Sequence, residues 1–318
     1  MEGSRRFRFG VIGENIRTGE QLVAYARRAE QLGYSTLLLR DHFVAEPFGP
    51  QLAPMVALTA AAGATQRLRV GTLVLDNDYR HPAVVAKEAA TLDHLSGGRF
   101  ELGIGAGWLR EEYERAGLPF DAAGVRVGRL EESLHVLKGL LAGARTTFSG
   151  AHYTVAELDN FPPPAQRPHP PILVGAGSRR MLGIAGRMAD IVGILPRALP
   201  DGTISEDLAE RTPQTMARKI AWVRESAGDR FPDIELSMVV SVTVADDYRA
   251  AARRVAIDRG WGAEAADLVL DMPGQFVGSV ERIAEEMQTR RRRYGFSYYV
   301  VSDRDMEVFG PVVERLAR

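Results

Sequence analysis

Residues 69–108, RVGTLVLDNDYRHPAVVAKEAATLDHLSGGRFELGIGAGW, restrict the fold of this chain more than any other stretch. An apolar strand runs into a polar turn, a helix starts at Pro82, Gly97-Gly98 stops it, and a second apolar strand ends in Gly103, Gly105 and Gly107. Proline suits a first helical position because its missing N–H is not needed there, and glycine suits a helix stop. The segment is one β-loop-α-loop-β unit, and two strands joined by a helix lie parallel. In parallel α/β proteins ligands bind beyond the carboxyl ends of the strands. The unusual residues of the segment collect at those ends.

The same alternation continues along most of the chain. Strands are expected at Phe7–Ile12, Thr36–Leu39, Leu68–Leu75, Phe100–Ile104, Pro171–Val174, Asp190–Leu195, Glu235–Val244 and Ser297–Val301. Several are continuous apolar runs, as expected where helices cover a parallel sheet. Amphipathic segments fall at Gly19–Leu32, Pro82–Leu95, Arg129–Leu141, Arg179–Ala189, Pro213–Ala227 and Ser279–Tyr294. Eight strands in this order favour a closed (β/α)8 TIM barrel, and with no linker or repeat the barrel takes all of residues 1–318 as one domain. Two insertions interrupt it. Residues 147–170 carry too many prolines for regular structure, and residues 196–213 read as a polar loop; both are expected to form pocket walls.

Composition removes other classes of function. The chain has 318 residues and a net charge of −1, so no electrostatic ground exists for nucleic acid or an anionic membrane as a partner. Cysteine is absent, which excludes disulfides, thiolate nucleophiles and Cys-ligated metals. The six histidines lack metal-ligand spacing, and there is no G-x-S-x-G elbow. The opening MEGSRRFRFG has no apolar segment of the kind that heads a secretory signal, and no run is long enough to span a bilayer, so a cytoplasmic location is the default. The run Arg290–Arg293 is expected to be a solvated helix face. Asp93 and His94 are expected at the surface or capping a helix end.

Four strand ends supply candidate site residues. The second reads Leu39-Arg40-Asp41-His42-Phe43, where the carboxylate of Asp41 can tune His42, a side chain whose charge changes near neutral pH; a capping pair for the next helix is the plainer alternative. The third runs through Leu73, Val74, Leu75, Asp76 and Asn77 to Arg80-His81-Pro82, a turn on which a ligand can rest against backbone. The fourth ends Gly103-Ile104-Gly105-Ala106-Gly107-Trp108. Its G-x-G-x-G spacing and late position do not fit a dinucleotide fingerprint, but small residues such as Ala106 and Gly107 let a planar ligand approach, with Trp108 as a wall. The fifth gives Gly175-Ala176-Gly177-Ser178-Arg179-Arg180 at the start of a helix. Helix amides and cations there suit a phosphate. Glu14 and Glu46, which follow the first and second strands, join Trp108 as candidates for a substrate pocket.

These residues also carry a resemblance. Arg80-His81-Pro82, Ala90-Thr91-Leu92-Asp93 and the glycines Gly103, Gly105 and Gly107 resemble the luciferase-like family of flavin- and deazaflavin-dependent oxidoreductases. Asp41-His42-Phe43, Gly117-Leu118-Pro119-Phe120 and the stretch from Pro171 to Asp190 add to it, so that the likeness spans most of residues 7–195. The look is nearest to the branch that uses coenzyme F420. The resemblance implies a (β/α)8 barrel with Asp41 and His42 beside the deazaflavin, His42 as the proton donor, and a bulge within Thr72–Asp76, often with a non-prolyl cis peptide, backing the ring. It also implies that Gly175–Ser178, with Arg179 and Arg180, hold the coenzyme phosphate. Sugar-phosphate dehydrogenases of the family carry a Glu directly after the strand-four glycines; Trp108 stands there, and neither Glu46, Glu111 nor Glu112 is a secure replacement. The function expected is hydride transfer between F420 and an organic substrate. The alternatives are an FMN-dependent monooxygenase fed by a separate reductase and a non-catalytic cofactor-binding barrel. Members of the family commonly form homodimers through outer helices.

Overall fold

The structure, a computed structural model, describes residues 5–317; the first four residues of the MEGSRRFRFG segment and Arg318 lie outside it. Eight parallel strands form the barrel: β1 (Arg8–Ile12), β2 (Thr36–Leu39), β3 (Arg69–Thr72), β4 (Phe100–Gly105), β5 (Ile172–Ala176), β6 (Ile191–Ile194), β7 (Glu235–Val239) and β8 (Phe296–Val301). Each pairs with the next in sequence, and β8 closes on β1 from Arg8↔Tyr298 to Val11↔Val301. A two-residue strand, Leu75–Asp76, follows a bulge after β3 and pairs with Ile104 and Gly105. The expected (β/α)8 barrel is the architecture found.

Around the strands run α1 (Gly19–Gln31), α2 (Pro54–Ala64), α3 (Pro82–Leu95), α4 (Arg110–Ala116), α5 (Ala123–Leu141), α6 (Arg179–Met188), α7 (Pro213–Ala227), α8 (Tyr248–Asp258), α9 (Ala266–Asp271), α10 (Val280–Tyr294) and α11 (Met306–Leu316). Their boundaries follow local chemistry. Thr18 and Gln21 form a reciprocal capping box at α1, Pro82 opens α3, and Gly97 and Gly98 past its end take φ of 67° and 82°. Outward-facing strand residues pack against the helices in one large core. Inward-facing Ile12, Leu38, Leu173, Ile191, Tyr298 and Val300 fill the barrel interior.

The amino-terminal end of the interior is closed by charge. Glu101, 1% exposed, accepts from Arg8 and from Arg69 Nε at 2.5 Å; Arg8 also donates to Glu235 at 2.6 Å and lies over the Tyr298 ring at 4.3 Å. Ser297 completes Glu235 with a 3.1 Å hydrogen bond. Buried charges persist when each is paired and hydrogen-bonded, and this network meets that condition.

Several expectations change. The run Glu235–Val244 is broken in two: after β7 the chain leaves the barrel, and Ser241–Val244 pairs in parallel with Gln275–Gly278 in a separate two-stranded sheet. Residues 147–170 are not wholly irregular, because Thr146–Ser149 and Thr154–Leu158 form an antiparallel hairpin. The prolines that argued against structure begin only at Pro162, so the hairpin keeps its amide donors. Asp93 is fully buried and accepts from the Gln166 amide at 2.9 Å and its side-chain nitrogen at 2.6 Å, tying the proline-rich segment under the barrel; His94 is exposed. Arg290 is buried too and donates to the carbonyls of Pro273 at 2.9 Å and Gln275 at 2.6 Å, while Arg292 and Arg293 are exposed.

Removing one member of the buried network leaves the others short of a partner. Glu101→Ala is expected to lower unfolding free energy by about 3 kcal/mol in urea titrations. Breaking the exposed pair Arg28–Glu307 (2.6 Å) with Arg28→Ala is expected to leave the urea midpoint almost unchanged, because solvent screens that pair.

Candidate active site

At the carboxyl ends of the strands the barrel opens into a cavity of about 300 Å³. Arg40, Asp41 and His42 reach it from β2; Leu73, Val74, Leu75 and Asp76 from the bulge after β3; Ala106, Gly107 and Trp108 from the end of β4; Gly175, Gly177 and Ser178 from β5. The peptide between Leu73 and Val74 is cis and non-prolyl, within the segment where one was expected. The loop after β6 forms part of the wall through Pro196, Arg197, Ala198 and Ile204. Buried Lys219 anchors it, donating to Leu195 O and to Glu210, both at 2.7 Å. Residues 147–170 do not line the cavity.

Not every candidate converges there. Asn77 is buried behind the turn, 3.3 Å from the Tyr153 hydroxyl, and Ala176 faces the outer core. Glu46 is exposed. Glu14 does not line the cavity but reaches it through Arg40, whose Nε donates to it at 2.8 Å. Arg179 lies near Glu225 at 3.7 Å and over Trp222, and Arg180 donates to the Gly124 carbonyl at 3.0 Å. Both side chains line an open groove between α6 and α7 on the outer surface instead. Ser178 is the N-cap of α6, accepting from the Met181 amide at 3.3 Å.

Asp41 and His42 each have one oppositely charged side chain as a partner. Arg80, in the R-H-P turn, grips Asp41 with a two-pronged contact of 2.6 and 3.1 Å, and the Asp76 amide donates to the same carboxylate at 3.2 Å. Such a fork fixes both position and orientation. His42 Nδ1 lies 2.9 Å from Glu112 Oε2 on α4. The same carboxylate accepts from the Tyr79 hydroxyl at 3.1 Å and from the amides of Phe43 and Val44. Burial pushes the Glu112 pKa up, but the hydrogen bond and charge of His42 and the two amides outweigh it and leave it below the ordinary carboxylate value. An ionised Glu112 only accepts, so Nδ1 carries the proton and Nε2 is the free ring nitrogen. Phe48 stacks on His42 at 4.9 Å, and Trp108 meets its edge at 6.1 Å.

The sequence named Glu112 only as an insecure replacement acid and Arg80 only within the R-H-P turn; the structure makes them the partners of His42 and Asp41. Glu112 lies in the first turn of α4, which brings it to the end of β2. Gly107 holds this corner together. Its φ is 71°, and a Cβ there would stand 1.9 Å from the Tyr113 hydroxyl and 2.4 Å from Asp76 Oδ2. Tyr113 donates to Asp76 at 2.8 Å and the Asp78 amide does so at 2.9 Å, yet burial dominates and the Asp76 carboxyl is pushed up to about 7. Arg126, stacked on Phe120 at 3.9 Å, donates to the Ala106 carbonyl at 3.3 Å and braces the β4 exit. Among the described residues no cluster of His, Asp and Glu could hold a metal ion.

The two acids respond to pH in opposite senses. Because the Glu112 pKa falls on folding, its stabilising contribution is fully present above pH 4.5 and is lost as pH falls through the folded value. For Asp76 the folded value is raised, so stability falls as pH rises from 3.8 towards about 7. The melting-temperature difference between wild type and Glu112→Gln is therefore expected to be largest at neutral pH and to shrink below pH 4.5, measured by calorimetry.

Comparison with known proteins identifies the lineage of this site. Residues 7–309 match the model of the luciferase-like monooxygenase family. An F420-dependent glucose-6-phosphate dehydrogenase of Beutenbergia cavernae is 30% identical over 289 residues, covering 89% of this chain and 80% of that protein. An FMNH2-dependent dimethylsulfone monooxygenase of Pseudomonas putida is 32% identical over 166 residues, or 52% of this chain and 46% of its own. Among solved structures, the F420-dependent tetrahydromethanopterin reductase of Methanopyrus kandleri superposes with a TM-score of 0.75 at 19% identity, over 98% of this chain and all of the other. The chain belongs to the luciferase-like monooxygenase family.

Proposed function

We propose that this chain is an F420-dependent oxidoreductase that moves a hydride between the coenzyme and a small organic substrate in the barrel mouth. The observation that carries this reading is the His42–Glu112 pair on a cavity with an apolar floor and a glycine wall. The names of the relatives in the F420-dependent branch support it.

The cavity fits such a coenzyme. Leu73 and Val74 offer an apolar floor, and a Cβ at Gly105 would stand 2.8 Å from Val74, so the close approach of wall and floor depends on its absence. At the β5 side, Gly177 and Ser178 open α6, whose first amides have no helical partner and suit a phosphate. We assign the phosphate to these amides and to Arg197 across the loop; the Arg179 and Arg180 side chains point elsewhere. When bound, F420 supplies the two-electron hydride chemistry.

The residues of the chain supply position and a proton. Arg80 and the Asp76 amide hold Asp41 in place at the cavity, where it would help to hold the bound coenzyme. His42 would accept a proton at Nε2 when the substrate is oxidised, giving an imidazolium that Glu112 stabilises at Nδ1, and would return that proton in the reverse direction. Phe48 and Trp108 pack against the imidazole and hold its ring in place. Trp108 takes the position where the resemblance places an acid in sugar-phosphate dehydrogenases, so glucose 6-phosphate is not carried over as the substrate. A homodimer through outer helices and a cytoplasmic location belong to the same reading; among the described residues no helix is long and apolar enough to cross a membrane.

The Pseudomonas putida relative favours a second reading, an FMN-dependent monooxygenase served by a separate reductase. Fluorescence titration with F420 and with FMN separates the two: saturable F420 binding and no FMN binding is the expected result, and the reverse overturns the proposal. His42→Ala is expected to lower turnover with F420 by about a hundredfold while F420 still binds. Unchanged turnover would remove His42 from the chemistry.

A further inference from the structure

We infer that Arg40 makes one end of this cavity a carboxylate subsite, and that the substrate is an organic acid with an apolar body. The inference rests on the cavity being the reaction site, as proposed above.

Arg40 is placed by strand alternation. Leu38 points into the barrel, and Arg40, two residues on, lines the cavity above it. Its side chain is 17% exposed, and the guanidinium carbon lies 4.0 Å over the Phe48 ring, which sets the plane of the group. A guanidinium has five N–H donors. One of them, at Nε, goes to Glu14 at 2.8 Å; Nη1 and Nη2 have no hydrogen bond among the described residues. Burial pulls the Arg40 pKa down, against the opposing charge of Glu14, yet a guanidinium keeps its proton. A largely buried donor fork with open positions gains most from a planar oxyanion that accepts two parallel N–H bonds.

Three further features select the ligand class. Phe48 contacts both Arg40 and His42, and both of those residues line the cavity, so an acid held at the guanidinium lies in the same cavity as the proton-transferring imidazole. Trp108 meets Phe48 at 6.3 Å and adds an aromatic ring to that cavity, which favours an apolar body behind the carboxylate. The α6 amides assigned to the coenzyme phosphate follow β5, three strands from β2 around the barrel, so the two anion sites are separate.

Benzoate and its neutral isostere benzamide test this on the chain without coenzyme, by calorimetric titration and by quenching of tryptophan fluorescence. Benzoate is expected to bind at least about tenfold more tightly than benzamide. Arg40→Gln is expected to erase that preference. Glu14→Gln keeps an acceptor for Nε but removes the competing negative charge, so benzoate should bind several-fold more tightly to it. Equal binding of the two probes, benzoate affinity unchanged in Arg40→Gln, or no gain in Glu14→Gln would each overturn the assignment. Inorganic phosphate competing as well as benzoate at Arg40 would overturn it also, by making the position a general anion site. If Arg40→Gln does not fold, the Glu14→Gln titration decides alone. Because no coenzyme is present, failure here is distinguishable from failure of F420 to bind.

Discussion

Closure of the sheet between β1 and β8 is the constraint on which the rest of the molecule depends. Once Val11 and Val301 are in register, eight carboxyl ends converge on one rim, and residues as distant in sequence as Arg40, Asp76, Gly107, Ser178 and Val239 share a single cavity. Closure also creates an inside. The ion network of Arg8, Glu101, Glu235 and Arg69 occupies the amino-terminal end and the ring of Tyr298 the space above Gly10, where a Cβ would lie 3.1 Å from it. Side chains therefore fill the lower interior, and room for a ligand is left only at the mouth.

At that mouth nearly every charge has a partner supplied by a different element. Asp41 has Arg80, His42 has Glu112, Arg40 has Glu14, and Lys219 has Glu210. Desolvating a charge costs several kcal/mol unless a partner and hydrogen bonds offset it, so these pairings permit charged side chains to line a largely apolar cavity. The pairings differ in what they leave open. Asp41 is consumed by its fork with Arg80, whereas among the described residues one nitrogen of His42 and two of Arg40 have no hydrogen-bond partner. The chemistry proposed for the site follows from those open positions.

Much of this was legible in the chain. The β2 and α3 boundaries, Thr36–Leu39 and Pro82–Leu95, fall where the sequence places them, because apolar runs, Pro82 and Gly97-Gly98 act over a few residues. Helices α2 and α11 escaped notice for opposite reasons. Pro54–Ala64 is small and apolar on all sides and shows no contrast at helical period, while Met306–Leu316 carries Pro311 in its interior. The strand Glu235–Val244 read as continuous because nothing in its composition marks where the chain exits the barrel.

What the sequence by itself determined is the barrel and the identity of its rim: strand periodicity, helix signals and the glycines at the ends of β4 and β5 are local properties, each set by one or two neighbouring residues. What only the tertiary structure decided is which side chains meet. Arg179 and Arg180 are adjacent to Ser178 in sequence yet face the outer groove, because the helical turn carries them around the axis of α6. Glu112 and Glu14 reach His42 and Arg40 from other elements, and no local spacing encodes a contact between residues 70 or 26 positions apart. Direction and partnership are set by packing, and packing exists only once the barrel has closed.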